Sequence, residues 1–148
     1  MCGILGLSFT PDSVPSRAHL DQMLRALFIF SESRGKEASG IAIDAAGELL
    51  IHKVPLPASR MIQTKEYKEI LDNTYLRIIS SQDPSPLTVI GHSRLVTNGS
   101  QGFHGNNQPV RSENVVGIHN GIVVNAADIF KKHSDLKRNT EVDSEALT

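Results

Sequence analysis

The chain has 148 residues, 39% of them hydrophobic and 21% charged, which sets the expectation of one globular domain and excludes a disordered chain. Its net charge of −1 supplies no general field for nucleic acid or an anionic membrane surface, and no apolar run is long enough to span a bilayer. One cysteine cannot form an internal disulfide, which fits a reducing, cytoplasmic setting.

In chain order, Gly3–Phe9 reads as a short buried strand closed by a turn at Thr10-Pro11-Asp12. Pro15-Ser16 opens a helix to about Ser31, with Leu20, Met23, Leu24, Leu27 and Phe28 forming one apolar stripe that packs a core. After a polar loop with Arg34-Gly35, Gly40–Asp44 and Glu48–Val54 form a hairpin about Ala45-Ala46-Gly47. Ala58–Ser81 reads as a broken helix whose apolar positions are Tyr67, Ile70, Leu71, Leu76, Ile78 and Ile79. Asp83-Pro84-Ser85-Pro86 separates it from a strand over Leu87–His92. A glycine- and asparagine-rich loop follows from Asn98 to Gln108, then a strand over Asn114–His119, a sharp turn at Asn120-Gly121 and a helix from Asn125 to His133. The strands are not separated by regular crossover helices, so a mixed or antiparallel sheet fits better than a doubly wound parallel one.

Cys2 follows the initiator methionine, and a residue this small at position two permits removal of Met1. The mature chain would then carry a thiol and a free α-amine on one residue. Their unperturbed pKa values are similar, about 8.5 and about 8. Such a residue serves as nucleophile while its own amine acts as general base, often through a water. A lone cysteine that happens to occupy position two is the plainer reading.

Three loops place hydrogen-bonding groups just past apolar strands. In Gly91-His92-Ser93-Arg94-Leu95-Val96-Thr97-Asn98-Gly99, Arg94 can grip a carboxylate with two parallel bonds, and Thr97 and Asn98 can add neutral ones. In His119-Asn120-Gly121, a side-chain amide and a backbone N–H could face a developing oxyanion. In Glu141-Val142-Asp143, an acidic point could hold an ammonium. Taken singly, Arg94 serves as well to anchor a loop, Asn120-Gly121 to make a turn and Asp143 to cap a helix.

Together, Met1-Cys2-Gly3-Ile4, Arg34-Gly35-x-x-Ala38-Ser39-Gly40, Gly91-His92-x-Arg94-x-x-Thr97 and His119-Asn120-Gly121-Ile122 resemble the class II glutamine amidotransferases in order and spacing. The resemblance covers Cys2 to Asp143. It implies a glutamine amidotransferase type 2 domain over 1–148. Its fold would be α+β: the N-terminal-nucleophile αββα sandwich of two antiparallel sheets between helical layers, here incomplete. It further implies that Cys2 attacks the side-chain amide of L-glutamine, giving a γ-glutamyl thioester and ammonia, with Asn120 and Gly121 as the oxyanion hole. Arg94, Thr97 and Asn98 would hold the α-carboxylate side, Asp143 the α-ammonium, and Arg34 would support the site from its loop. If both charges serve the zwitterionic substrate, neither Arg94 nor Asp143 should be buried against a permanent protein partner. The implied partner is a synthase domain or subunit that takes the ammonia, in a monomer or an oligomer, with no nucleic acid or membrane involved.

The chain departs from the family pattern in places. Leu95 stands where many relatives carry an aromatic residue, and Asn98 stands where the sugar-phosphate branch has His. A family domain also continues beyond Asp143–Thr148, which reads as the first turn of an unfinished helix, so the chain is expected to be a truncated piece. The six histidines are scattered without paired short spacing, and neither GxxxxGK[ST] nor GxGxxG occurs, so no metal and no cofactor is expected. Two other readings accompany the glutaminase: an N-terminal-nucleophile hydrolase of another small amide, and a non-catalytic remnant that binds a partner.

Overall fold

The computed structural model describes residues 1–81, 85–95, 100, 102–113, 115–134 and 138–148. Strand β1 (Gly3–Phe9) leads to helix α1 (Arg17–Glu32), the hairpin β2 (Ala38–Ala45) and β3 (Glu48–Val54), helices α2 (Ala58–Met61) and α3 (Lys65–Ser80), and β4 (Leu87–Arg94). Two short strands, β5 (Val110–Ser112) and β6 (Val115–Gly117), and helix α4 (Ala126–Lys132) follow, with short 3-10 helices at Pro11–Ser13, His104–Asn106 and Asp143–Leu147. The first four strands make one antiparallel sheet in the order β1-β4-β2-β3, and β5 and β6 form a second, two-stranded antiparallel sheet. The architecture is α+β with antiparallel sheets, as expected.

Local chemistry accounts for the element boundaries. The Ser16 hydroxyl accepts from the His19 N–H and caps α1, while Thr64 does the same for Tyr67 at the start of α3. That second cap is where the expected long helix breaks. The β2–β3 loop is just Ala46-Gly47, with φ of 52° and 74°, the positive values that a two-residue hairpin of this twist requires.

One face of the large sheet is dry. Leu5, Ile41, Ile43, Leu87 and Val89 point into a cluster with Leu20, Leu24 and Phe28 of α1, Met61 of α2, and Tyr67 and Leu71 of α3. Leu76 and Ile79, expected on the apolar face of α3, are instead exposed. The 3.6-residue period turns them away from the side that buries Tyr67, Ile70 and Leu71.

The other face, near the end of β4, receives the segment around 106–110. Gly40 of β2 makes this possible, because a Cβ there would collide with the Gln108 carbonyl. Gly35 likewise admits the Arg94-Leu95 backbone. The Arg34-Gly35-x-x-Ala38-Ser39-Gly40 motif is thus a strip of close backbone approaches. His92 lies beneath this second layer, flanked in the sheet by Ile4 and Gly40 and fully buried. Neither of its ring nitrogens finds a well-formed hydrogen bond. No helix among the described residues is long and apolar enough to cross a membrane.

Candidate active site

The β1–β4 register sets the site. Gly3 pairs with Ser93, which leaves Cys2 beside the Arg94-Leu95 end of β4. The Cys2 sulfur receives the Leu95 N–H at 3.4 Å and lies 3.5 Å from the Leu95 carbonyl. The Cys2 nitrogen donates to Asn120 Oδ1 at 3.0 Å. With its oxygen committed there, the Asn120 side chain presents Nδ2 as its donor end. Met1 is 75% exposed, and its sulfur is 3.9 Å from an Arg34 guanidinium nitrogen.

Among the described residues, two cavities meet at Cys2. The smaller is bounded by Cys2, Arg94, His119, Gly121 and Asp143, among others, and its free volume is about 20 Å³. That is room for about one water, so a free amino acid enters only if the surrounding loops move apart. The larger, about 350 Å³ and open to solvent, runs past Cys2, Ile4, Leu27, Phe30, Arg34 and Asn120.

The structure therefore gathers Cys2, Arg94, Gly121 and Asp143 around one space, and places Asn120 against Cys2. Arg34 stands apart from Arg94, on the wall of the larger cavity and exposed. Thr97 and Asn98 lie outside the described residues. Among the described residues, no three His, Cys, Asp or Glu side chains group as metal ligands would.

The expectation that Arg94 and Asp143 lack permanent protein partners is corrected for both. Arg94 is only 4% exposed and donates through Nη1 to Asn107 Oδ1 at 2.7 Å. A buried guanidinium without an acceptor would be costly, and Asn107 removes part of that cost. Burial pushes the Arg94 pKa down from the ordinary guanidinium value, while Cys2 and Glu37 pull it back up. Asp143 accepts the Val123 N–H through Oδ2. A carboxylate has about four acceptor positions, so that bond leaves capacity facing the cavity.

Sequence reasoning missed a polar framework behind these groups. Asn106, Asn107 and Gln108 are consecutive and buried. The Asn106 side chain donates to Glu141 Oε2 at 2.7 Å and accepts the Glu141 N–H at 2.9 Å. Asn107 holds Arg94, and Gln108 holds the backbone of His119. The Glu145 carboxylate, also buried, gathers the N–H groups of Asn139 and Thr140 and the Thr140 hydroxyl. Their one sequence signal was density: three amides before a proline.

No family model matches the chain. Over 150 aligned residues, 99% of the chain, it is 32% identical to glutamine–fructose-6-phosphate aminotransferase (isomerizing) of Gluconobacter oxydans (strain 621H). It spans 21% of that enzyme's length. The chain is a distant homologue of a class II glutamine amidotransferase.

Proposed function

We propose that the chain is a type 2 glutaminase domain, or part of one, that hydrolyses L-glutamine through Cys2 and passes the ammonia to a synthase domain or subunit. The observation that carries this reading is the small cavity: a lone thiol at its edge, a guanidinium and a carboxylate in its walls. A free amino acid presents one carboxylate and one ammonium, and that pairing of opposite charges around a nucleophile suits it.

The chemistry follows from the groups in place. Once Met1 is removed, the Cys2 α-amine takes the thiol proton and the sulfur attacks the glutamine side-chain carbonyl. Asn120 Nδ2 and the Gly121 N–H stabilise the oxyanion that forms. The amine then gives its proton to the departing nitrogen, ammonia leaves, and a γ-glutamyl thioester remains on Cys2. Water attacks that thioester, releasing glutamate and restoring the thiol. Arg94 binds the α-carboxylate side together with Thr97 and Asn98, Asp143 binds the α-ammonium, and Arg34 supports the N-terminal end. In this reading, the four-stranded sheet under α1–α3 and the small β5–β6 sheet are the inner layers of an N-terminal-nucleophile sandwich.

A second reading draws on the larger cavity beside Cys2, whose Ile4, Leu27 and Phe30 suit an apolar acyl group better than glutamine. The test is ammonia release from L-glutamine set against release of amine from N-acyl amides, by protein with Met1 removed and with Met1 retained. The glutaminase reading expects turnover of glutamine alone, and only after Met1 removal. Preference for an apolar amide would move the substrate to the larger cavity.

A further inference from the structure

Gln108 borders the small cavity beside Cys2, 7% exposed, and its amide closes a ring of hydrogen bonds. Oε1 accepts the His119 N–H at 2.5 Å, and Nε2 donates to the His119 carbonyl at 3.0 Å. Nε2 also reaches Ser144 Oγ at 3.2 Å, and that hydroxyl meets His119 Nδ1 at 3.2 Å. The ring joins the residue just before Asn120-Gly121 to the residue just after Asp143. We infer that Gln108 is the positioning residue of the oxyanion turn, clamping 119–121 and tying it to the turn that carries Asp143. The inference rests on the glutaminase reading for its meaning in catalysis.

The chemistry demands an amide at this position. The clamp faces the N–H and the C=O of one residue, so it needs one acceptor and one donor in a single planar group. A carboxylate supplies acceptors only and would face the His119 carbonyl with a like partial charge. An apolar side chain supplies neither and leaves two buried backbone groups unpaired. The clamp is itself anchored, because its backbone carbonyl sits against Gly40 of β2 and its neighbour Asn107 holds Arg94. The turn that carries Asn120 and Gly121 has no strand ladder of its own, since β6 ends at Gly117. Gln108 supplies the two backbone bonds that a neighbouring strand would otherwise provide.

The test compares Gln108→Glu, Gln108→Met and Ser144→Ala with the wild-type protein, all with Met1 removed. Steady-state kinetics on L-glutamine and amide hydrogen exchange by NMR are both measured. Gln108→Glu should lower kcat by about tenfold or more with KM changed less than about threefold, because an oxyanion donor displaced by a fraction of an ångström loses much of its effect. Ser144→Ala keeps both bonds from Gln108 to His119 and removes only the tie to the turn that carries Asp143, so its kcat should fall less than that of Gln108→Glu. In Gln108→Met the His119 amide should exchange at least about tenfold faster, while Ile41 and Ile43 of β2 stay protected. Unchanged kcat in Gln108→Glu, or an equal gain in exchange at β2 and at His119, would overturn the inference. If the wild-type protein does not turn over glutamine, the glutaminase reading fails. The exchange rates then decide the clamp alone, unchanged protection of His119 overturning it.

Discussion

Acidification should destabilise this fold through His92, and the size of the effect follows from where the ring lies. Its imidazole is fully buried, and burial drives its pKa from 6.5 down to about 4. The nearby His119 backbone opposes this and raises it, while the Arg94 and His119 charges lower it further. Above pH 6.5 the ring is neutral in both folded and unfolded chains, and stability is at its full value. Between 6.5 and about 4 the unfolded chain binds a proton that the folded chain does not, so stability falls with falling pH. The full difference is roughly 3 kcal/mol, of which roughly 2 kcal/mol is lost by pH 5. That is a large fraction of the ~5–15 kcal/mol that holds a domain together. The pKa values of His52 and His104 are also lowered, chiefly by burial, so they add slope of the same sign. Urea denaturation of the wild-type protein and His92→Gln at pH 7, 6 and 5 measures the His92 share as the difference between the two slopes. Parallel stability curves would refute the reasoning, as would an NMR titration placing the His92 pKa near 6.5.

Asn120→Ala should lower kcat by about 10²–10³ with little change in glutamine affinity, and steady-state kinetics check it. Loss of affinity with kcat unchanged would reassign Asn120 to substrate binding. Arg94→Ala should now show two losses, stability through the Asn107 bond and glutamine binding through the carboxylate. Denaturation, together with KM on glutamine and on an analogue lacking the α-carboxylate, separates them, with only the glutamine KM expected to rise. Ala46→Gly should stabilise the protein by about 0.5–1 kcal/mol, because Ala46 sits at a φ of 52° that glycine adopts without strain. A thermal melt that falls instead would show that the methyl group packs more than it strains.

How much of this was legible in the sequence depended on the range of the signal. β1 was readable to the residue, because an apolar run between Gly3 and a Thr-Pro turn carries its own boundaries. The stripe of α1 was readable too, and so was a break somewhere in Ala58–Ser81, but the Thr64 cap that places that break was not read. β5 escaped notice, being three residues that gain meaning only by pairing with β6. In the site, the short motifs pointed to Cys2, Arg94, Gly121 and Asp143, which the fold brings around one space. The partners of those groups were not legible. Asn106, Asn107 and Gln108 look like solvated loop residues until the Gly40 approach buries them. Asn106 and Glu141 are 35 positions apart, a distance over which no pattern in one sequence speaks. The permanent partners of Arg94 and Asp143 were missed for that reason.

The central claim is that Cys2 forms a covalent bond to the γ-carbonyl of glutamine. Intact-mass spectrometry of protein lacking Met1, mixed with L-glutamine and quenched in acid within milliseconds to seconds, tests it directly. The account predicts a γ-glutamyl adduct that maps to Cys2, decays as glutamate appears, and is absent from Cys2→Ala. Glutamine turnover by Cys2→Ala, or steady ammonia release by the wild-type protein with no adduct on Cys2 at any quench time, would contradict it.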